Sequence, residues 1–180
     1  MTPGLVEMTQ RTVNRQPVLV LAVGNLLLQD DAAGLEMLAA LNQFCWDESV
    51  DFVDGGTQGI AFLGQISDRR IVIVLDAVTL GDKPGTIHIL RGEDLDKLRA
   101  RKSATSHESN ALELLALAKL IGIGPEVVVV GIEPESIRTG IGLSPSVRDA
   151  LPRAVTVISV IIQAAAENQN YVPGDSRQDR

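Results

Sequence analysis

Val18-Leu19-Val20-Leu21-Ala22-Val23 is an unbroken apolar run closed by Gly24-Asn25. A strand with one wet face alternates apolar and polar residues, so a run with no polar member reads as a strand buried on both faces. Ile71-Val72-Ile73-Val74-Leu75 repeats the pattern and stops at Asp76, and Val127–Ile132 repeats it again. A helical pattern follows each run. Asp31 to Phe44 carries Leu35, Leu38 and Leu41 near helical spacing. A second begins near His107, where Thr105 and Glu108 have capping-box spacing. The last begins at Ser144-Pro145, an N-cap and first-turn pair, and runs through Val147, Leu151, Ala154, Ile158 and Ile162. Asp30 is expected to cap the first helix, and Pro152 to kink or split the last.

Two weaker strands complete the set. Val50–Val53 is short and ends in Asp54-Gly55-Gly56-Thr57, with a short helix expected over Ile60 to Ile66. Thr86–Leu90 follows Pro84-Gly85 and alternates, as an edge strand does. Buried strands interleaved with helices specify an α/β fold: a doubly wound, mostly parallel sheet in three αβα layers, with strand 1 between strands 2 and 3.

The chain's 180 residues suit one domain, expected over residues 17–167 between a disordered leader (1–16) and a flexible tail (168–180). Aromatics are 3% of the chain and hydrophobic residues 45%, so the core must be aliphatic. The net charge of −7 argues against a nucleic-acid backbone or an anionic membrane surface as partner. The apolar stretch Val157–Ala166 is short for a membrane span, and residues 1–16 lack the apolar core of a secretory signal, so a cytoplasmic protein is expected. Cys45 is the sole cysteine, which excludes an internal disulfide and a thiolate zinc cage. Beside Trp46, it reads as a packing residue. The two histidines, His88 and His107, do not form an H-E-x-x-H zinc motif, and His88, between Ile87 and Ile89, reads as a surface residue. Neither a G-x-G-x-x-G nor a Walker A sequence is present, and Ser106 and His107 are neighbours whose side chains diverge on a helix.

Ligands of a doubly wound sheet bind beyond the strands' carboxyl ends, where the strand order reverses. With strands 1 and 3 adjacent, that crevice collects Asp30, Asp31 and Asp76, and the helix starting at His107 offers its first turn to the same place. Carboxylates crowded in a partly dry crevice repel unless a cation joins them. Two carboxylates with one imidazole leave coordination positions open and suit nickel, zinc or cobalt better than magnesium. Asp30 and Asp31 also have structural readings, as a cap and as a partner of the helix dipole.

Residues 23–34, Val-Gly-Asn-Leu-Leu-Leu-Gln-Asp-Asp-Ala-Ala-Gly, resemble the opening G-N-x-L-x-x-D-[DE]-x-x-G of the [NiFe]-hydrogenase maturation endopeptidases. The resemblance continues in family order through Asp54–Gly59, Ile71–Val78, Pro84-Gly85-Thr86, Ser106-His107, Val130–Ser136 and Gly142–Val147, over roughly residues 17–165. It implies a five-stranded sheet with one antiparallel strand. The implied activity is a nickel-dependent endopeptidase that removes the C-terminal extension of a hydrogenase large-subunit precursor. It implies Asp31, Asp76 and His107 as metal ligands, Asp31 standing where relatives often carry Glu. It also implies a substrate-choosing role for the segment Asp54, Gly55, Gly56 and Thr57. On this reading the nickel is already in the substrate or shared with it, zinc or cadmium being crystallisation surrogates, and Asp54 is a candidate base beside a metal-activated water. Two other functions fit the same fold: a non-cleaving maturation chaperone that senses nickel loading, and a metal-dependent small-molecule hydrolase.

Overall fold

The structure is a computed structural model that describes residues 17–57, 63–66, 69–95 and 125–167. The predicted leader, the tail and the helix expected near His107 lie outside the described residues. Five strands form one sheet: β1 (Val18–Ala22), β2 (Val50–Asp54), β3 (Ile71–Ala77), β4 (Ile87–Arg91) and β5 (Glu126–Ile132). Their order is β2-β1-β3-β5-β4. The first three pairings are parallel, and β4 runs antiparallel to β5 at the edge. The expected 2-1-3 order and the single antiparallel strand are therefore present.

All five residues of β1 and all seven of β3 are buried, as their unbroken apolar sequence requires. Successive side chains go to opposite faces and build two cores. Val18, Val20 and Ala22 join Ile71, Ile73 and Leu75 on one face, under α1 (Ala33–Leu41) and α3 (Pro145–Glu167). Leu19 and Leu21 join Val72, Val74 and Val129 on the other, with Ile66 of α2 (Leu63–Ile66).

Five local readings change. The first helix is split: Gln29–Ala32 is a 3-10 turn, and the α-helix proper covers only Ala33–Leu41. Asp30 sits inside that turn and makes no cap to it, because its carboxylate is engaged elsewhere. Pro152 does not split α3, since the backbone bond it forgoes falls on the exposed side of the helix. At 23 residues, α3 is long and apolar enough, by length and composition, to cross a membrane, which the shorter Val157–Ala166 stretch does not suggest. Its Val147, Ala150, Ala154, Ile158 and Ile162 are buried in the core with β1, β3 and β5. Cys45 is exposed rather than packed, because in the loop after α1 it is Trp46 that turns toward the core and Phe52. Ser144 does cap α3 as expected, its Oγ accepting from the Val147 N–H at 3.4 Å.

Candidate active site

Two glycines decide what meets at the carboxyl end of the sheet. Gly24 follows β1 at φ +145°, and a Cβ there would lie 2.1 Å from the carbonyl oxygen of Asp31. Gly34, in the first turn of α1, would place a Cβ 2.4 Å from the carbonyl oxygens of both Val23 and Leu75. Only a bare backbone can approach so closely. The 3-10 turn and α1 are thus seated directly on the ends of β1 and β3, at the point where the strand order reverses. That seating sets Asp31, which is half-buried, beside the strand that carries Asp76. Asp76 lies within β3, paired with Gly131 of β5, rather than just beyond the strand. It is buried, and its Oδ1 accepts the Ala77 N–H at 2.8 Å. The backbone therefore gathers the segments of two predicted ligands into one crevice, while His107 lies outside the described residues.

Asp54–Thr57 forms a turn laid across the same end. The Gly55 N–H donates to the Ala22 carbonyl at 2.7 Å, and the Gly24 N–H donates to the Gly56 carbonyl at 3.0 Å. Asp54 Oδ1 closes the turn by accepting the Gly56 N–H at 2.9 Å, while Gly56 takes φ +48°. Asp54 is exposed at the rim.

Two buried carboxylates hold the rest of this end. Asp30 has no exposed surface. Its Oδ2 accepts the N–H groups of Glu135 and Ser136 at 2.9 and 3.0 Å, and its Oδ1 accepts that of Ser144 at 2.6 Å. Burial pushes its pKa up, but these N–H donors outweigh burial and hold it below the ordinary aspartate value. Asp30 is thus a cap, but of the loop that leads into α3 rather than of its own helix.

Glu133 plays the matching part on the far side. Its Oε2 accepts from Leu80 N and His88 Nε2, each at 2.9 Å, and its Oε1 accepts from Gly81 N at 3.0 Å. His88 is therefore buried, contrary to its reading as a surface residue. Alternation along β4 puts His88 and Leu90 inward and turns Ile89 out to solvent. Asp82, His88 and Glu133 are the one group of three metal-capable side chains drawn together among the described residues. Both Glu133 oxygens already accept backbone N–H groups, so the group serves as a latch between the β3–β4 connection and β5. Glu133 was legible by the rule that singled out Asp76, since each carboxylate directly follows an unbroken apolar run in the sequence.

The family model described as hydrogenase maturation protease matches residues 36–161. The hydrogenase 2 maturation protease of Escherichia coli K12 is 34% identical over 154 residues, which cover 83% of this chain and 93% of that protein. This chain belongs to the hydrogenase maturation protease family. It is also similar to the hydrogenase expression/formation protein HoxM of Azotobacter vinelandii, 34% identical over 78% of this chain and 69% of that one. Among solved structures, it superposes on the hydrogenase maturating endopeptidase HybD from E. coli with a TM-score of 0.72 and 32% identity, over 82% of this chain and 93% of that chain. In this hydrogenase maturation protease, the reversal point of the sheet brings the turn that carries Asp31 against the end of β3, the strand that carries Asp76, through close backbone approaches at Gly24 and Gly34.

Proposed function

We propose that this chain removes the C-terminal extension of a [NiFe]-hydrogenase large-subunit precursor in the cytoplasm, after nickel has entered that precursor. Asp31, Asp76 and His107 are the proposed nickel ligands. The observation that carries the reading is Gly34, whose backbone rests on the carbonyls of Val23 and Leu75 and so brings the Asp31 turn to the Asp76 strand. The donor chemistry fits: two carboxylate segments converge, and a cation relieves the repulsion that both would otherwise carry. Carboxylate with imidazole suits nickel, and zinc equally.

The metal is the substrate's cargo in this scheme, and once held it would polarise the scissile carbonyl as a Lewis acid. The chain's own residues supply position. Asp76 is fixed inside β3, with Oδ1 tied to the Ala77 N–H, so its carboxylate presents a set direction. Asp31 rides on a turn that cannot lift without breaking the contact at Gly24. Gly55 is buried against the Ala22 carbonyl while Gly56 is half-buried and Thr57 exposed, and the three are the proposed substrate-choosing segment. Asp54, exposed at the rim, is the proposed proton acceptor.

The test mixes the purified protein with nickel-loaded precursor and follows the mass of the large subunit. The wild type is expected to shorten it, and Asp76→Asn and His107→Ala to lower the rate at least roughly a hundredfold. Calorimetric titration of the protein with nickel alone should show weaker binding in both variants. Undiminished cleavage by either variant removes the proposed ligand set, and binding of the precursor without any cleavage makes the chain a chaperone.

A further inference from the structure

Four of the large apolar side chains that the structure leaves in solvent sit on two loops at the carboxyl end of the sheet. Leu26 and Leu27 are 54% and 61% exposed, and Ile137 and Ile141 are 48% and 88% exposed. The loops are joined backbone to backbone. Leu28 and Gly140 form an isolated parallel bridge, in which the Gly140 N–H donates to the Leu27 carbonyl and the Gln29 N–H to the Gly140 carbonyl, each at 2.9 Å. The Asp30 N–H donates to the Ser136 carbonyl at 3.1 Å, and Ser136 Oγ donates to Gln29 Oε1 at 2.5 Å. The buried Asp30 carboxylate adds its bonds to Glu135, Ser136 and Ser144. Gln29 is even held at φ +47°, a left-handed conformation that a side-chain-bearing residue adopts at a cost.

Single exposed apolar residues are ordinary, but a group of them on adjoining loops marks a contact surface. Composition points the same way. The chain is 22% charged, yet residues 24–29 and 139–147, which carry Leu26, Leu27 and Ile141, contain no Asp, Glu, Lys or Arg, while the exposed Glu135 and Arg138 beside Ile137 form a charged edge. Interface centres are depleted of charge in this way. The loops are also already ordered, so a partner would not have to fix them on binding.

We propose that Leu26, Leu27, Ile137 and Ile141 form a docking lip that seats an apolar segment of the large-subunit precursor next to the crevice of Asp31 and Asp76. This rests on the function proposed above. The occupant follows from continuity: the lip runs through Gln29 and Asp30 straight into Asp31, so a protein chain reaching the crevice crosses it. A small-molecule substrate would need no such collar outside the crevice.

The experiment compares the wild type, Leu27→Ser/Ile141→Ser, and Ile89→Ser/Val160→Ser as a control with exposed apolar residues elsewhere. Each is assayed for cleavage of nickel-loaded precursor, for direct binding of that precursor, and for thermal stability. The lip variant should raise KM and Kd roughly tenfold or more, with kcat and Tm unchanged, while the control matches the wild type. An unchanged KM and Kd in the lip variant overturns the proposal, as does an equal rise in the control. Loss of a concentration-dependent dimer in the lip variant alone, without a change in Kd, overturns it too, by assigning the lip to a second copy of this chain. If the wild type binds the precursor without cutting it, the cleavage reading fails, and the lip stands or falls on Kd alone. If the wild type neither binds nor cuts, both are withdrawn.

Discussion

The two ends of the sheet differ in how much room their contacts leave. At the carboxyl end, backbone meets backbone: Gly24 against the Asp31 carbonyl, Gly34 against those of Val23 and Leu75, and Gly55 on that of Ala22. At the amino end, backbone bonds such as that from the Arg70 N–H to the Pro17 carbonyl at 2.9 Å are supplemented by flexible side chains. Trp46 Nε1 donates to the Leu41 carbonyl at 2.8 Å, and its ring lies 5.6 Å from that of Phe52. Arg69 links Asp51 at 2.5 Å to the Gln65 carbonyl at 3.0 Å. A cavity of about 390 Å³ remains there, lined by Phe44, Cys45, Trp46, Val50, Ile162 and Ala166 among others. Side chains can shift to absorb a substitution, whereas two carbonyls pressed on a glycine cannot. The carboxyl end is therefore rigid where the site needs fixed geometry, and the amino end is adaptable.

Substitution at Gly34 is the strongest way to break this contrast. Gly34→Ala should cost about 3 kcal/mol by denaturant unfolding, because the new Cβ meets two backbone oxygens and overpacks the junction. A loss under about 0.5 kcal/mol would show that α1 slides freely and that the Asp31 turn is not fixed on β3.

Asp30 comes next. Asp30→Ala strands the N–H groups of Glu135, Ser136 and Ser144 and should cost about 2 kcal/mol. The lowered pKa gives the effect a pH signature. A carboxylate with a depressed folded-state pKa contributes stability above its unfolded value, here 3.8, and loses that contribution as pH falls through the folded value. Asp30→Asn should lack this acid-limb loss, which unfolding curves taken between neutral pH and about pH 3 would detect. Identical acid limbs for wild type and Asp30→Asn would count against the clamp.

The smallest effect belongs to the amino end. Cys45→Ser should change stability by no more than about 0.5 kcal/mol, because Cys45 is exposed. In the folded wild type the same thiol should react stoichiometrically with a thiol reagent under native conditions. A protected thiol would restore the packing reading and weaken the contrast between the two ends.

The fold was largely legible because β1, β3 and β5 are long apolar runs, and burial on both faces leaves little choice of partner. Asp76 was legible as a candidate for the same reason, since a carboxylate ending such a run stands out. His88 and Asp30 were misread because each was judged from its neighbours in the chain. His88 is buried by Glu133, 45 residues away, and Asp30 is engaged by Ser144, 114 residues away. Cys45 was misread because an adjacent Trp46 says nothing about which way the chain turns after α1.

The order of apolar runs, turns and helix signals settled the layers, the central strands and the end of the sheet at which chemistry would gather. These are properties of periodicity and burial, and they survive without coordinates. Tertiary structure alone decided which glycines serve as seats, which carboxylates are clamps rather than candidate ligands, and which apolar residues remain in solvent. Those outcomes depend on approaches between segments far apart in the chain, where a few tenths of an ångström separate a hydrogen bond from a clash and local sequence carries no record of the distance.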